Sequence, residues 1–214
     1  MHFSKISKEE KANILTHGFG FLAALVGLPF LFSTFENHST NYQIALLVFA
    51  ISMLFVYAAS TIYHLMISEK QKLLWKKIDH IAIYFLIAGT NTPLVIQYLD
   101  NPLARNFLIF LWSLVVIGII YKLFLIGKYQ YFSLIYYILL GGLGIGVIVP
   151  MLEEMPIEGF YWLLAGGLAY LIGTIFYMWK KLPFGHAIWH VFVIAGTFCH
   201  FMAVLISTIY FDLY

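Results

Sequence analysis

The chain has 214 residues, of which 62% are hydrophobic and only 10% are charged, and its net charge is +2. Soluble domains carry roughly a quarter charged residues, so this composition excludes a water-soluble globular protein and leaves most side chains facing lipid or other helices. The small net charge gives no indication of a nucleic-acid partner, and the single cysteine, Cys199, excludes an internal disulfide.

Seven long apolar runs follow one another along the chain, each close to the roughly 20 residues that a helix needs to span a bilayer. They must be helices, because lipid offers no partners for free backbone groups and the runs lack the alternation typical of barrel strands. The runs are 14–32, 42–66, 81–99, 107–126, 132–151, 160–178 and 187–210. We therefore predict one all-α domain over residues 1–214, a bundle of seven transmembrane helices after a short N-terminal segment, 1–12.

Basic residues fall almost entirely on one side of this predicted bundle. Eleven of the twelve lie before the first run or in or beside the loops that follow the second, fourth and sixth runs. The remaining loops hold only Arg105. The eleven are Lys5, Lys8, Lys11, Lys70, Lys72, Lys76, Lys77, Lys122, Lys128, Lys180 and Lys181. Because positively charged loops stay in the cytoplasm, we expect a cytoplasmic N-terminus and an external C-terminus. The first run is longer than a signal-peptide core and lacks a small-residue cleavage site, so we expect it to remain as an anchor.

Polar side chains recur at the predicted cytoplasmic ends of three runs. His186 and His190 are four residues apart at the start of the last run, and they share one helix face because each residue turns an α-helix by about 100°. Ser60 and His64 are also four apart, at the end of the second run, and Asp79 precedes the third. The orientation rests on the lysines alone, yet it brings all of these side chains to one depth.

Three imidazoles at one depth suit zinc, whose common catalytic sites combine three histidines with one water. We predict His64, His186 and His190 as the zinc ligands. Asp79 would hydrogen-bond the water or accept its proton, and Ser60 would hold that water or Asp79 in place. Bound zinc makes water acidic enough to react at neutral pH, so the set predicts hydrolytic chemistry.

The same residues also have simpler interpretations. An H-x-x-x-H pair alone is a weak motif, because histidines near a membrane interface also bond headgroups, water or backbone carbonyls. Ser60 could bond its own helix, and Asp79 could cap the third helix and pair with Lys76 or Lys77. Ionisable groups inside a membrane are rare and usually functional, and here three helices contribute, so we favour the metal site.

Three further histidines lie in or beside the runs. His80 points about 100° away from Asp79 around its helix, so we interpret it as a supporting or interfacial residue. His200 follows His190 by ten residues, about 15 Å along the helix axis, and we expect it to be buried and hydrogen-bonded. For His17 we favour packing near the interface over support of the site.

Two short motifs inside the runs concern helix packing. Gly142 and Gly146 form a G-x-x-x-G step, for which we expect close packing within the chain; no strand precedes it, so it is not a nucleotide-binding loop. Pro93 follows Asn91 and Thr92 in the third run. We expect the proline to free a backbone carbonyl and kink the helix, and the two polar side chains to join helices or line a cavity.

Three motifs together resemble the haemolysin III family, bacterial membrane proteins within the progestin and adipoQ receptor superfamily. They are "STIYH", which ends at His64, "IDHIAIYFLIAGTNTP", which contains Asp79, and "HAIWHVFVIAGTFCHF", which contains His186 and His190. The resemblance extends over essentially the whole chain. It implies zinc ligation by the three histidines with Asp79 and Ser60 beside the metal. We expect no counterpart of the long N-terminal domain of the animal receptors, and therefore no receptor-type signalling.

We therefore expect a zinc-dependent hydrolase of amide- or ester-linked membrane lipids in a bacterial cell membrane, since the wider relatives include ceramidase-like enzymes. One alternative is a non-enzymatic regulator or sensor of the membrane with structural zinc. Another is direct cytolysis, which the family's name implies; we disfavour it because a toxin must leave its producer and seven anchors would retain it. A retinal protein is excluded because the last run has no lysine, and a G-protein-coupled receptor would place its N-terminus outside.

Overall fold

The computed structural model describes residues 6–33, 35–126, 128 and 130–213, and the regular structure in them is helical. Lys5, one of the basic residues counted above, lies outside this part of the chain. The α-helices are α1, Lys8–Leu31; α2, Thr40–Leu65; α3, Glu69–Tyr98; α4, Asn101–Leu125; α5, Gln130–Gly142; α6, Ile148–Leu152; α7, Ile157–Met178; and α8, Gly185–Leu213.

Seven helical segments in the described residues are long and apolar enough to cross a membrane, which confirms the predicted fold class. Six of them are α1 to α4, α7 and α8. The fifth, Tyr131–Leu152, is not one regular helix, because α5 continues through a 3-10 segment, Leu143–Val147, into α6. Hydropathy marks this segment as a single span because it measures apolarity and does not distinguish an α-helix from a 3-10 helix.

Two helices begin before their apolar runs because their first turns are polar. The backbone N–H of Glu10 donates to Ser7 Oγ at 3.2 Å, so α1 begins at Lys8, six residues before the first apolar run. Helix α3 begins at Glu69, twelve residues before its run, because its first turns are charged and do not register as apolar. The segment 1–12 therefore contains the first turn of a helix, and this turn reaches the functional site.

The core of the bundle is centred on α2 and α3. More than half of each apolar window is buried, 56% for α2 and 61% for α3, whereas the other spans are 17–39% buried. Helix α1 packs on α2 and α8, α8 packs on α7, and α4 packs on α3. The C-terminal end of α2 and the starts of α1, α3 and α8 lie together at one end of the bundle.

Glycines allow α7 and α8 to pack closely. A Cβ atom at Gly173 would lie 2.7 Å from side-chain atoms of Trp189 and Phe192. A Cβ atom at Gly166 would overlap the imidazole of His200. Protein interiors tolerate such overlaps poorly, so these two positions require glycine for packing.

The predicted close approach at Gly142 and Gly146 is wrong. Nothing lies within 4 Å of a Cβ atom built at either glycine. The residues between them wind as a 3-10 helix, which moves the two glycines off a common face, and Ile145 beside them is 75% exposed. This step therefore faces outward from the described bundle.

Helix α3 is continuous through Pro93. Trp112 Nε1 on α4 donates a hydrogen bond to Thr92 Oγ1 at 3.3 Å, which confirms that a polar side chain of this motif joins two helices. Asn91 instead donates to the carbonyl of Ile87 within α3, at 2.9 Å.

The orientation of the bundle can be tested with single cysteines in a Cys199→Ser background. Lys181 and Glu154 are exposed and lie in loops at opposite ends of the bundle. We expect Lys181→Cys to resist a membrane-impermeant maleimide applied to intact cells, and Glu154→Cys to react, because lysine-bearing loops stay in the cytoplasm. The reverse labelling pattern would show that the N-terminus is outside.

Two adjacent glycines on α7 provide a matched test of the helix packing. Gly166→Ala should destabilise the protein by about 1–3 kcal/mol, because the new methyl group overlaps the His200 ring. Gly167→Ala should be neutral or slightly stabilising, because nothing lies within 4 Å of its Cβ and alanine favours a helix. Thermal unfolding in detergent measures both; equal stabilities would contradict the packing described here.

Candidate metal centre

Three histidines from two helices meet at one end of the bundle. His64 lies in the last turn of α2, and His186 and His190 lie one turn apart at the start of α8. One ring nitrogen of each lies within 4.8 Å of those of the other two. The ring centroids are 5.3, 5.2 and 4.6 Å apart for the pairs 64–186, 64–190 and 186–190. We call these three residues the histidine cluster.

Helix α1 fixes the place where α8 begins. Phe184, just before α8, has a φ of 57°, a left-handed conformation that is strained for a bulky residue. Its backbone N–H donates to Glu9 Oε1 at 3.0 Å. This bond joins the first turn of α1 to the turn in which α8 starts, two residues before His186.

The histidine cluster is buried, and one of its ring nitrogens has no hydrogen-bond partner among the described residues. His64 is 3% and His190 2% exposed, and His186 is partly buried. His64 Nε2 is buried with no hydrogen-bond partner among the described residues. Such an atom destabilises a fold by about 1–3 kcal/mol, and a bond to a metal ion would remove that cost. Neutral imidazole nitrogens are common zinc ligands, so the donor set fits zinc.

Asp79 and Ser60 lie beside the cluster on two different helices. Ser60 precedes His64 by one turn of α2 and is 1% exposed, and its Oγ has no hydrogen bond of normal geometry with the described residues. Asp79, on α3, is close enough to interact with the Ser60 hydroxyl and with the charge of His64. The structure thus brings the predicted site residues to one end of the bundle, while their roles stay predictions.

Helix α1 supplies side chains that the sequence analysis did not place at the site. The Glu10 carboxylate bonds to His64 Nδ1 with one oxygen and to Lys72 Nζ with the other. Asn13 Nδ2 lies 3.4 Å from the same nitrogen of His64. Glu10, Asn13 and His17 follow an i, i+3, i+7 spacing, so the signal that could have found them is a polar stripe on one face of an apolar helix.

His17 is part of the wall of the cluster. It is 4% exposed and stacks on His190, with the ring centroids 3.5 Å apart and the planes 14° from parallel. Both of its ring nitrogens are buried without a hydrogen-bond partner among the described residues. The favoured prediction, packing near the interface, is therefore wrong, because the histidine faces inward toward the site.

His80 and His200 lie outside the cluster. His80 Nδ1 is 3.3 Å from Lys122 Nζ, and that ammonium also donates to Ser133 Oγ at 2.8 Å. Lys122 lies in the last turn of α4, as predicted, but it is only 1% exposed, so its charge is enclosed between helices and does not face a loop. His200 Nε2 bonds to the carbonyl oxygen of Leu163 at 3.2 Å, which confirms the predicted hydrogen-bonding role.

Comparison with known proteins decides the family. A family model described as "Haemolysin-III related" matches residues 6–201. The chain belongs to the haemolysin III family. The match runs from before Glu10 to beyond His190, so it includes both the histidine cluster and the α1 residues that contact it. The resemblance inferred from the three motifs is therefore confirmed.

Individual relatives of the haemolysin III chain cover nearly its whole length. The "Hemolysin-3 homolog" of Bacillus subtilis (strain 168) is 41% identical over 199 residues, which are 92% of this chain and 93% of the relative. "Hemolysin-3" of Bacillus cereus is also 41% identical, over 92% of this chain and 91% of its own. The human "Monocyte to macrophage differentiation factor" is 28% identical over 92% of this chain and 83% of its own.

Removal of one imidazole tests the centre directly. We expect the purified protein to hold about one zinc ion, and His64→Ala to lower zinc affinity by more than about 100-fold, because a lost ligand should cost more than a lost supporting contact. His200→Ala is the control, since His200 bonds to Leu163 away from the cluster. Elemental analysis and chelator competition measure both; unchanged zinc binding in His64→Ala would contradict the assignment.

Proposed function

We propose that this haemolysin III protein is a zinc-dependent hydrolase of amide- or ester-linked lipids in a bacterial cell membrane. The observation that carries the proposal is the His64 Nε2 atom, buried without a partner beside two more imidazoles whose ring nitrogens lie within 4.8 Å. Asp79 and Ser60 beside this cluster add a carboxylate and a hydroxyl, which are the groups that proton transfer in hydrolysis requires.

The surroundings of the cluster favour a lipid substrate. A groove of about 310 Å³ runs along the outer face between α1 and α8. It is lined by Leu15, Thr16, Phe19, Val191 and Ile194. Apart from Thr16 this lining is apolar, and Thr16 Oγ1 lies 3.0 Å from Nδ1 of His190. An acyl chain lying in this groove would have its carbonyl end close to the cluster.

The proposed reaction is hydrolysis of the lipid carbonyl. Zinc held by the cluster would supply a Lewis acid for that carbonyl. Asp79 accepts a proton from the attacking water as the new C–O bond forms. It then returns the proton to the leaving nitrogen or oxygen as the old bond breaks. Ser60, one turn from His64, would orient the Asp79 carboxylate for this transfer by donating its hydroxyl hydrogen to it.

The Asp79→Asn variant separates proton transfer from metal binding. We expect fatty-acid release from a panel of ceramide-like amides and lipid esters to fall about 10²–10⁴-fold, because the amide cannot act as a base. The zinc content should stay unchanged. Asp100→Asn is the matched control, since Asp100 caps the start of α4. Full turnover in Asp79→Asn would remove Asp79 from the mechanism.

A regulator or sensor of the membrane with structural zinc is the second candidate. The 3% and 2% exposure of His64 and His190 favours it, because structural zinc sites are closed. This function predicts bound zinc, no turnover on any lipid of the panel, and altered membrane properties in cells that carry His190→Ala. Release of contents from liposomes when the protein is added from outside would instead indicate direct lysis.

A further inference from the structure

We infer that helix α1 determines which ring nitrogen carries the hydrogen in two histidines of the cluster. Glu10 does so for His64, and Thr16 does so for His190. Both contacts leave Nε2 of the ring without a hydrogen and therefore able to bind a metal. The inference rests on the proposed metal site and makes Glu10 and Thr16 positioning residues. Neither residue was among those that the sequence analysis assigned to the site.

Glu10 determines which ring nitrogen of His64 carries the hydrogen. The Glu10 carboxylate bonds to Nδ1 and is paired through its other oxygen with the ammonium of Lys72. An ionised carboxylate accepts hydrogen bonds and cannot donate them, so the Nδ1 atom must carry the hydrogen. In a neutral imidazole Nε2 is then the bare nitrogen, and it is the atom that lies buried without a partner. Metal-binding histidines commonly donate their other ring N–H to a carboxylate in this way.

Asn13 agrees with the same assignment. Its Nδ2 lies 3.4 Å from His64 Nδ1, and its Oδ1 is buried without a partner among the described residues. Two donors facing each other would be unfavourable. Exchanging the amide oxygen and nitrogen brings Oδ1 within reach of the Nδ1–H group, whose one hydrogen Glu10 and Asn13 would then share.

Thr16 determines which ring nitrogen of His190 carries the hydrogen. Its Oγ1 lies 2.9 Å from the carbonyl oxygen of Ala12, 3.0 Å from that of Asn13 and 3.0 Å from His190 Nδ1. A hydroxyl has one hydrogen, and carbonyl oxygens only accept, so that hydrogen points back along α1. The Thr16 oxygen must then accept from Nδ1–H of His190. This leaves Nε2 of His190 bare as well.

The two contacts come from one helix, at positions about 120° apart around its axis. Glu10 and Thr16 lie less than two turns apart on α1, while their partners lie on α2 and α8. A third contact, from Glu9 to the backbone of Phe184, ties the same end of α1 to the start of α8. Helix α1 therefore fixes both the ring orientation and the spacing of ligands that belong to other helices.

The test measures metal binding by the purified full-length protein. Glu10→Ala and Thr16→Val each remove the acceptor oxygen, and we expect zinc affinity to fall by about 10–100-fold in chelator competition. Glu10→Gln and Thr16→Ser keep an acceptor oxygen in place and should bind zinc close to the unmodified level. Bound Co²⁺ gives a second readout, since its visible absorption reports the coordination geometry and should change in the first pair only.

Two control variants and three outcomes make the test decisive. Glu158→Ala and Thr174→Val alter exposed or self-bonded side chains elsewhere and should leave affinity unchanged. Binding of neither Zn²⁺ nor Co²⁺ by the unmodified protein would overturn the metal site and the inference with it. Normal metal binding in both Glu10→Ala and Thr16→Val would overturn the inference alone. An equal loss in the Ala, Val, Gln and Ser variants would also overturn it, because the acceptor oxygen would then be irrelevant.

Discussion

A polar nitrogen buried in an apolar helix bundle needs a partner, and this requirement organises one end of the molecule. Neither lipid nor aliphatic side chains can bond the imidazoles of His64 and His190, so each polar atom must be matched by another group of the protein or by a bound ion. One nitrogen of each ring faces helix α1. The other side of the His64 ring faces the rest of the histidine cluster, where a cation shared between rings would satisfy several nitrogens together.

This constraint explains why the first helix begins where it does. A helix confined to the apolar run would start beyond Glu10, and the carboxylate that bonds His64 would then lie in an irregular segment. The Ser7 cap extends the helix outward, and Glu10 thereby gains a fixed direction toward α2. Lys72, from the start of α3, holds the second oxygen of that carboxylate. One short polar turn thus caps α1, contacts α2 and α3, and contributes to the geometry of the site.

The seven spans and the shared helix face of His186 and His190 follow from the sequence because they depend on local quantities. Apolar length defines a span, and the four-residue spacing of His186 and His190 defines a shared helix face. The role of α1 depends on which face of that helix packs inward, and apolarity alone does not specify this. Lys122 shows the same limit, because counting charges does not reveal that a lysine points into the bundle. The glycines 142 and 146 show it too, since a 3-10 winding removes the shared face that their spacing implies.

The two sides of the histidine cluster differ in polarity, and this difference bears on the kind of molecule that the site would accept. On one side the Glu10 and Lys72 side chains are 25% and 34% exposed, so this rim contacts water. On the other side Thr16 separates His190 from an apolar groove on the outer face. A substrate with a polar head and a hydrocarbon tail fits such a gradient, because its head can stay at the hydrated rim while its tail lies along α1 and α8. A fully water-soluble substrate would leave the groove without a role, and a hydrocarbon would leave the charged rim without one. The proposed lipid amide or ester combines both parts, and the bond to be cleaved lies where they join.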